Sequence, residues 1–188
     1  MCEFHIDPVV YHGAPENLSQ RLPKEQETYA LLEQFGIEIW RVDHDAAQTI
    51  EHCLPVDEML QTKMCKNLFL CNRQKTQFYL LLLPGDKPFH TKDLSAQIGS
   101  ARLSFADAED MEARLNLTPG SVTVLGLQFD PEQRVRLLID RDLAEEEFLG
   151  CHPCINTSSL RFLTSDLIEK ILPAMGHEPT YVELPWLE

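Results

Sequence analysis

Apolar residues recur along the chain at spacings that change from segment to segment. Tyr29, Leu32 and Phe35 follow one another at intervals of three, which predicts a helix that begins at Pro23 and that Gly36 ends. Other apolar runs are short and extended in character, and they predict strands: IEIWRV at 37–42, RLSF at 102–105, VTVLGLQF at 122–129, VRLLID at 135–140 and TYVEL at 180–184.

Two longer apolar runs occupy the middle of the chain. KNLFLCN at 66–72 and QFYLLLL at 77–83 are joined by RQKT, which predicts a β-hairpin. The second run is almost continuous, so we expect a strand that is buried on both faces. The remaining signals predict helices: 91–98 before Gly99, 107–115, 165–175 with Thr164 as N-cap and Gly176 past the end, and, within 44–60, a short helix, a break at Pro55 and a further turn.

Strands and helices alternate irregularly and include a hairpin. This order favours a mixed α/β fold, with a largely antiparallel sheet or a half-open barrel and flanking helices, over a doubly wound parallel sheet. The 188 residues are 44% hydrophobic, which suits one domain. We expect a single domain over 23–188 and an N-terminal extension over 1–22, where Pro, Gly and His follow no period.

Composition narrows the cellular setting. No apolar run approaches the roughly 20 residues of a membrane span, and MCEFHIDPVV lacks the order of a secretory signal. Six cysteines form no dense framework in a chain of this length. We therefore expect a cytoplasmic protein with free thiols and no contact with a membrane.

Charge is distributed unevenly. The net charge is −14, which argues against general coating of nucleic acid. Residues 61–104, however, carry 7 basic and 2 acidic side chains, whereas the segments before and after them are strongly acidic. This basic island is either a chance surplus on a solvated face or a local contact with phosphates, such as those at the end of an RNA strand.

The segment Cys151-His152-Pro153-Cys154 raises three chemical possibilities. A redox dithiol needs its first cysteine at a helix N-terminus, and INTSSLRF begins no convincing helix. Structural zinc needs four ligands, and haem attachment needs a histidine directly after the second cysteine. His44 and His52 stand eight apart without a partner motif, so we interpret them as ordinary packing or surface residues. We expect no metal and no cofactor, and His152 remains as a functional group on a loop.

Several segments, taken together in order, carry a resemblance to a known family. TKMCKNLFLCN, ARLSFA, LTPGSVT, VRLLID, GCHPCINTSSL and SDLIEKIL followed by GHEP resemble the YbaK family of trans-editing aminoacyl-tRNA deacylases, which is related to the insertion domain of bacterial prolyl-tRNA synthetases. The set looks most similar to the free-standing Ala-tRNA(Pro) deacylases of the ProXp-ala type. It covers roughly residues 24–185.

The resemblance implies site residues. The family's Lys-Asn pair corresponds to Lys66 and Asn67, its glycine loop to Gly120, and its essential histidine to His152. Related sequences usually end the glycine loop as Gly-x-x-x-Pro, whereas this chain has Val124 there. The resemblance therefore implies Lys66, Asn67, Gly120 and His152 as catalytic residues, and Ser121, Pro153, Asn156 and Thr157 as substrate-binding residues.

The chemistry of an aminoacyl ester fits this set. The ester is already activated, so positioning and stabilisation of charge suffice for hydrolysis. His152 would orient the attacking water or a ribose hydroxyl, or act through its backbone amide. The implied partners are the acceptor end of mischarged tRNA, most simply Ala-tRNA(Pro), and prolyl-tRNA synthetase, with the protein a monomer or weak dimer. Two alternatives stay open: a non-catalytic tRNA- or amino-acid-binding module, and a deacylase for another species such as Cys-tRNA(Pro).

Overall fold

The computed structural model describes residues 4–47 and 50–186, with the backbone alone at 50 and 51. The strands are β1 (Tyr11–His12), β2 (Trp40–Asp43), β3 (Lys66–Asn72), β4 (Phe78–Leu83), β5 (Leu103–Phe105), β6 (Val135–Asp140), β7 (Phe148–Cys151), β8 (Ser158–Leu163) and β9 (Thr180–Val182). The helices are α1 (Pro23–Gln34), α2 (Ile50–Leu60), α3 (Thr91–Ile98), α4 (Ala108–Leu115), α5 (Arg141–Glu145), α6 (Thr164–Asp166) and α7 (Leu172–Ala174), with a π-helical turn at Leu167–Ile171 and 3-10 segments at Leu18–Gln20 and Val124–Phe129.

The strands form two sheets. One sheet is antiparallel throughout, in the order β1-β2-β8-β7. The other has the order β5-β3-β4-β6-β9, in which β3 is antiparallel to β4 and β5, whereas β6 runs parallel to β4 and β9. The mixed α/β fold with flanking helices is confirmed, and the described strands form two separate sheets without closing into a barrel.

Strand β4, in the middle of the second sheet, is buried on both faces. Phe78, Leu80 and Leu82 of β4 belong to the large core cluster, which also contains residues of β7 and β8. Tyr79 and Leu81 face the opposite way, toward α3 and the C-terminal segment. Because successive side chains of a strand point to opposite faces, a strand with apolar cover on both sides needs apolar residues at every position. The predicted hairpin of β3 and β4 and the double burial of β4 are both confirmed.

One predicted strand is wrong. The segment predicted as a strand at 122–129 forms a 3-10 helix over Val124–Phe129, and Thr123 precedes it as N-cap, its hydroxyl accepting from Leu125 N at 3.4 Å. Val124, Leu125 and Leu127 are all fully buried, so this segment presents apolar residues in several directions. A short apolar run buried on all sides has no period that distinguishes a strand from a helix.

Two predicted helix features also differ in the structure. Helix α2 continues through Pro55 without the predicted break, at the cost of one backbone hydrogen bond, and the predicted start of this region includes residues 48 and 49, which lie outside the described residues. Thr164 is the first residue of α6 and does not cap it, since Leu163 occupies the N-cap position. Gly176 follows α7 with a positive φ of 73°, consistent with its predicted place past the helix end.

The N-terminal residues are connected to the fold. Tyr11 and His12 pair with Arg41 and Trp40 as an edge strand, and the Arg41 guanidinium lies 4.5 Å from the centre of the Tyr11 ring. The boundary of the domain at residue 23 stays a prediction. Within the described residues, no helix is long and apolar enough to span a membrane.

Candidate functional site

Three loops meet at one end of the β2–β8–β7 sheet. The loop after β7 (152–157) is hydrogen-bonded to the segment after β2, because His44 N donates to Thr157 O and Ala47 N donates to Asn156 O, both at 3.0 Å. The glycine loop before the 3-10 helix reaches the same place. A Cβ atom added at Gly120 would lie 3.3 Å from Asn156 Nδ2 and 3.9 Å from Ala47 O.

The His152 ring is held by hydrogen bonds on one side. Its Nδ1 donates to Ser158 O at 2.8 Å and has a weaker contact with Ser159 Oγ at 3.4 Å. A carbonyl oxygen can only accept, so the proton of the neutral ring is on Nδ1 and the Nε2 atom carries a lone pair. Among the described residues, none forms a hydrogen bond with Nε2.

His44 extends this network. Its Nδ1 donates to Asp45 O at 2.7 Å, so its Nε2 accepts from Ser159 Oγ at 2.8 Å. The rings of His44 and His152 are 6.1 Å apart in an edge-to-face arrangement. The Ser159 hydroxyl thus donates to His44 and presents its lone pairs to His152 Nδ1–H, and each group fixes the orientation of the next.

Burial keeps both histidines neutral. It lowers the pKa of His152 from 6.5 to about 4, and the nearby His44 lowers it further, while the hydrogen bond to Ser158 O acts in the opposite direction. Burial also lowers the pKa of His44. At neutral pH the His152 imidazole is therefore a base with a fixed tautomer.

The structure corrects the interpretation of His44 as an ordinary packing or surface histidine. The side chain is buried beside His152, and it makes hydrogen bonds through both nitrogens. No spacing in the sequence relates the HDAA segment to the loop after β7, since the two histidines are 108 positions apart. Ser159 was not among the site residues that the resemblance implied either.

Gly120 has the backbone conformation that its predicted role requires. Its φ of 87° is in the region that side chains with a Cβ rarely adopt. Asn156, against which it lies, is half-buried, and Thr157 next to it is exposed. Gly120 and Asn156 therefore form one wall of the candidate site.

Two of the predicted substrate-binding residues have structural contacts. Ser121 is buried, and its hydroxyl donates to Thr118 O at 2.8 Å and accepts from Thr118 N at 3.1 Å within its own turn. Pro153 is also buried and lies beside His152 in the chain. Their predicted contact with the substrate stays a prediction.

The start of β3 lies against the end of β7. Cys65 N donates to Gly150 O at 2.9 Å, and a Cβ atom at Gly150 would come within 2.9 Å of Lys63 O, so this close approach requires glycine. The Asn67 Nδ2 atom is 3.2 Å from Cys65 Sγ, and its Oδ1 is buried without a hydrogen-bond partner among the described residues. A buried amide oxygen without a partner is costly to a fold, which makes it a candidate for contact with a substrate.

Lys66 does not join the other candidates. Since neighbouring residues of a strand point to opposite faces, Lys66 projects away from Asn67, and its Nζ donates to Lys87 O at 2.7 Å. Leu68 and Leu70 on the same side of β3 pack in the cluster beneath α3. The side chains of Lys66 and Asn67 therefore lie on opposite faces of β3, and only Asn67 faces the candidate site.

The two cysteines of the CHPC segment lack the lowered thiol pKa that a redox-active dithiol requires. Burial raises the pKa of Cys151 well above its usual value and that of Cys154 to about 12, whereas a reactive dithiol needs a lowered pKa. Cys154 receives a hydrogen bond from Thr28 Oγ1 at 3.3 Å. Both remain free thiols that pack behind the loop. Within the described residues, no group of three His, Cys, Asp or Glu side chains is placed to hold a metal ion.

A cleft of about 400 Å³ borders this loop. It lies between the Cys154–Thr157 segment and the start of α1, where Arg21, Lys24 and Glu25 contribute charged side chains. Arg21 pairs with Glu25 and with Asp43, so its charge is balanced within the protein.

Comparison with known proteins assigns this arrangement to a family. Residues 44–170 match the family described as the aminoacyl-tRNA editing domain, a span that begins at His44 and includes every predicted site residue. The chain belongs to the aminoacyl-tRNA editing domain family. The resemblance found in the sequence is thereby confirmed, and so is the class of enzyme that it implies, an aminoacyl-tRNA deacylase.

Individual relatives agree with this assignment. The chain is 31% identical over 160 residues to the prolyl-tRNA editing protein ProX of Acetoanaerobium sticklandii. This match covers 85% of this chain and 97% of the relative. It is 29% identical, over 84% of its length and 85% of the relative's, to the prolyl-tRNA synthetase associated domain-containing protein 1 of Danio rerio. A solved structure described as a candidate trans-editing enzyme for prolyl tRNA synthetase has the same fold, with a TM-score of 0.63 at 14% identity over 88% of this chain and 99% of that one.

Proposed function

We propose that the protein hydrolyses the ester of Ala-tRNA(Pro), and so releases alanine from a mischarged tRNA. Family membership supports the ester and the tRNA, and the name of the ProX relative supports the prolyl species. Prolyl-tRNA synthetase is the proposed functional partner, because it supplies the mischarged substrate. The observation that carries the proposal is the neutral His152 imidazole, which is fixed through Nδ1 and whose Nε2 has no hydrogen-bond partner among the described residues.

His152 acts as the proton acceptor in this proposal. Its Nε2 accepts a proton from the attacking water, or orients the water through the adjacent ribose hydroxyl, while the Nδ1–H bond to Ser158 O keeps the ring in place. Ser159 and His44 are positioning residues that act through His152. A general base of this kind commonly contributes about 10²–10⁴ to the rate.

Backbone and amide groups stabilise the developing charge. The Gly120 loop lets main-chain N–H groups approach the substrate, and the amides of Asn67 and Asn156 supply further donors. The buried and unpaired Oδ1 of Asn67 is suited to accept from the free amino group of the aminoacyl moiety. No strong nucleophile is needed, since an aminoacyl ester is already activated.

Discrimination between amino acids depends on the size of the space around the ester. One methylene is worth only about 1–3 kcal/mol in a pocket, so a synthetase that cannot exclude alanine requires a second hydrolytic site. In this proposal the glycine loop and the loop after β7 bound the space for the amino acid, and the larger proline is excluded by size.

The test is deacylation of tRNA(Pro) charged separately with alanine, cysteine and proline. We expect rapid loss of alanine, slow or no loss of proline, and little alanine loss with His152→Ala. Faster release of cysteine than of alanine would show that Cys-tRNA(Pro) is the preferred substrate. Release of none of the three would contradict the enzyme proposal and favour a non-catalytic binding module of the same fold.

A further inference from the structure

We propose that the RNA strand leading to the ester lies across the surface formed by Phe89, Lys92, Arg102 and Phe105, which we call the β5–α3 surface. The proposal rests on the proposed function, because it places the 3′ end of the tRNA at His152. It assigns to this surface the binding of single-stranded RNA by phosphate contacts and base stacking.

Ion pairing within the protein occupies three of the seven basic side chains of the basic island. Lys63 pairs with Asp86, Lys75 pairs with Asp107 and Asp110, and the buried Lys87 pairs with Asp140 and Asp142. These three lysines are therefore paired with carboxylates of the protein, Lys63 and Lys75 at the surface and Lys87 in the interior.

Lys92 and Arg102 differ from those lysines. Both are exposed, and neither forms an ion pair with a carboxylate in the part of the chain that the structure describes. They border one concavity together with Thr91 and Ser95, whose small polar side chains leave it open. Two unpaired cations beside a shallow concavity in a protein of net charge −14 form a local site for phosphates.

An exposed aromatic ring lies next to these cations. Phe105, on the edge strand β5, is 62% exposed, and its ring is 6.3 Å from that of Phe89 in an edge-to-face arrangement. It pairs with Leu70 of β3 and lies on the α3 side of the sheet. Proteins that bind single-stranded RNA stack bases on such rings beside a positively charged groove.

The position of Lys66 connects this surface to the ester. Lys66 is on the same face of β3 as Leu70, about 13 Å away along the strand at 3.3 Å per residue. Its ammonium group uses one donor on Lys87 O and keeps two for a phosphate. Asn67, the next residue, faces the site. A strand that reaches the ester beside Asn67 would therefore pass Lys66 and continue over Phe105 toward Arg102, a span of a few nucleotides.

The experiment measures binding of uncharged tRNA(Pro) to the full-length protein over a range of salt. For each phosphate contact that is lost, the slope of log Kd against log salt should decrease by about 0.7 in magnitude for a single strand. We expect the double variant Lys92→Ala with Arg102→Ala to lose about 1.4 in slope. Phe105→Ala should raise Kd about tenfold and leave the slope unchanged.

Lys170→Ala is the matched control. It removes the same unit charge from an exposed lysine that pairs with Asp166 on the helical segment after β8, outside the proposed surface. Its slope and Kd should equal those of the wild type. An effect of Lys170→Ala equal to that of the surface variants would overturn the proposal, since it would show dependence on net charge alone, and so would unchanged binding in both surface variants.

The outcomes also separate this proposal from the proposed function. Deacylation by the wild type with no binding effect in the surface variants would overturn the surface alone. Binding effects of the expected size in a protein without deacylase activity would support the surface and contradict the enzyme. With active protein, the surface variants should raise KM and leave kcat unchanged, because neither cation belongs to the catalytic machinery.

Discussion

The His152 imidazole is the residue on which the chemistry depends, and its pKa provides a test. An exposed histidine titrates near pH 6.5 and would lose its function as a base below that value. His152 stays neutral to about pH 4 because burial disfavours its charged form. We therefore expect kcat for alanine release, after subtraction of spontaneous hydrolysis, to show no inflection attributable to this group between about pH 5 and pH 7.

The measurement is a single-turnover pH profile, with His152→Gln as the control that has no titrating ring. A tenfold fall of kcat through an inflection near pH 6.5 in the wild type alone would contradict the buried, neutral base.

The lowered pKa of His152 also affects the stability of the protein. Between pH 6.5 and about 4, His152 is protonated in the unfolded chain and neutral in the folded protein. The free energy of unfolding therefore decreases as the pH falls through this window.

Individual residues also show what the sequence could and could not predict. His152 and Gly120 were found because the family motif marks them, and the structure places their loops together through Asn156. His44 and Ser159 were missed, since a hydrogen bond between residues 115 positions apart leaves no local pattern. Lys66 was assigned to the reaction with Asn67, and the alternation of a strand separates their side chains.

Among the elements, the glycine loop before the 3-10 helix allows a sharp test. In Gly120→Ala the added Cβ must adopt a φ of 87° and lies 3.3 Å from Asn156 Nδ2. We expect a loss of about 1 kcal/mol in stability from the backbone strain. The displaced Asn156 should reduce kcat about 10- to 100-fold, since small errors in position are expensive in catalysis.

Gly36→Ala is the matched control for this loop. Gly36 has a similarly positive φ of 64°, but no atom lies within 4 Å of its added Cβ. Urea unfolding should show a comparable loss of stability in both variants, and the deacylation rate should fall in Gly120→Ala only. Equal activity of the two variants would remove the glycine loop from the catalytic site.

Local patterns predicted most elements well. The end of α1 before Gly36, the β3–β4 hairpin and the helix at 107–115 were predicted, and Asp107 is the N-cap of that helix in the structure. The 3-10 helix Val124–Phe129 was predicted as a strand because its burial on several sides removes any period. This segment also carries Val124, at the position where the resemblance implies a proline, and the side chain is fully buried in the core.

At the scale of the whole molecule, we expect the charge distribution to govern tRNA binding and the site to govern discrimination between amino acids. Acidic segments surround one basic island, in which Lys63, Lys75 and Lys87 pair with carboxylates, and we propose that its other cations contact the tRNA. Such a protein would bind the end of a tRNA and release it readily, with discrimination left to the site. Sequence alone placed the island, but only the pairing of its side chains shows which cations remain free.

The most direct measurement is the single-turnover rate of alanine release from Ala-tRNA(Pro) by the wild type and by His152→Ala. The account predicts release far faster than spontaneous hydrolysis in the wild type, and a rate about 10²–10⁴ lower in the variant. A wild-type rate equal to that in buffer, or a His152→Ala rate equal to that of the wild type, would contradict it.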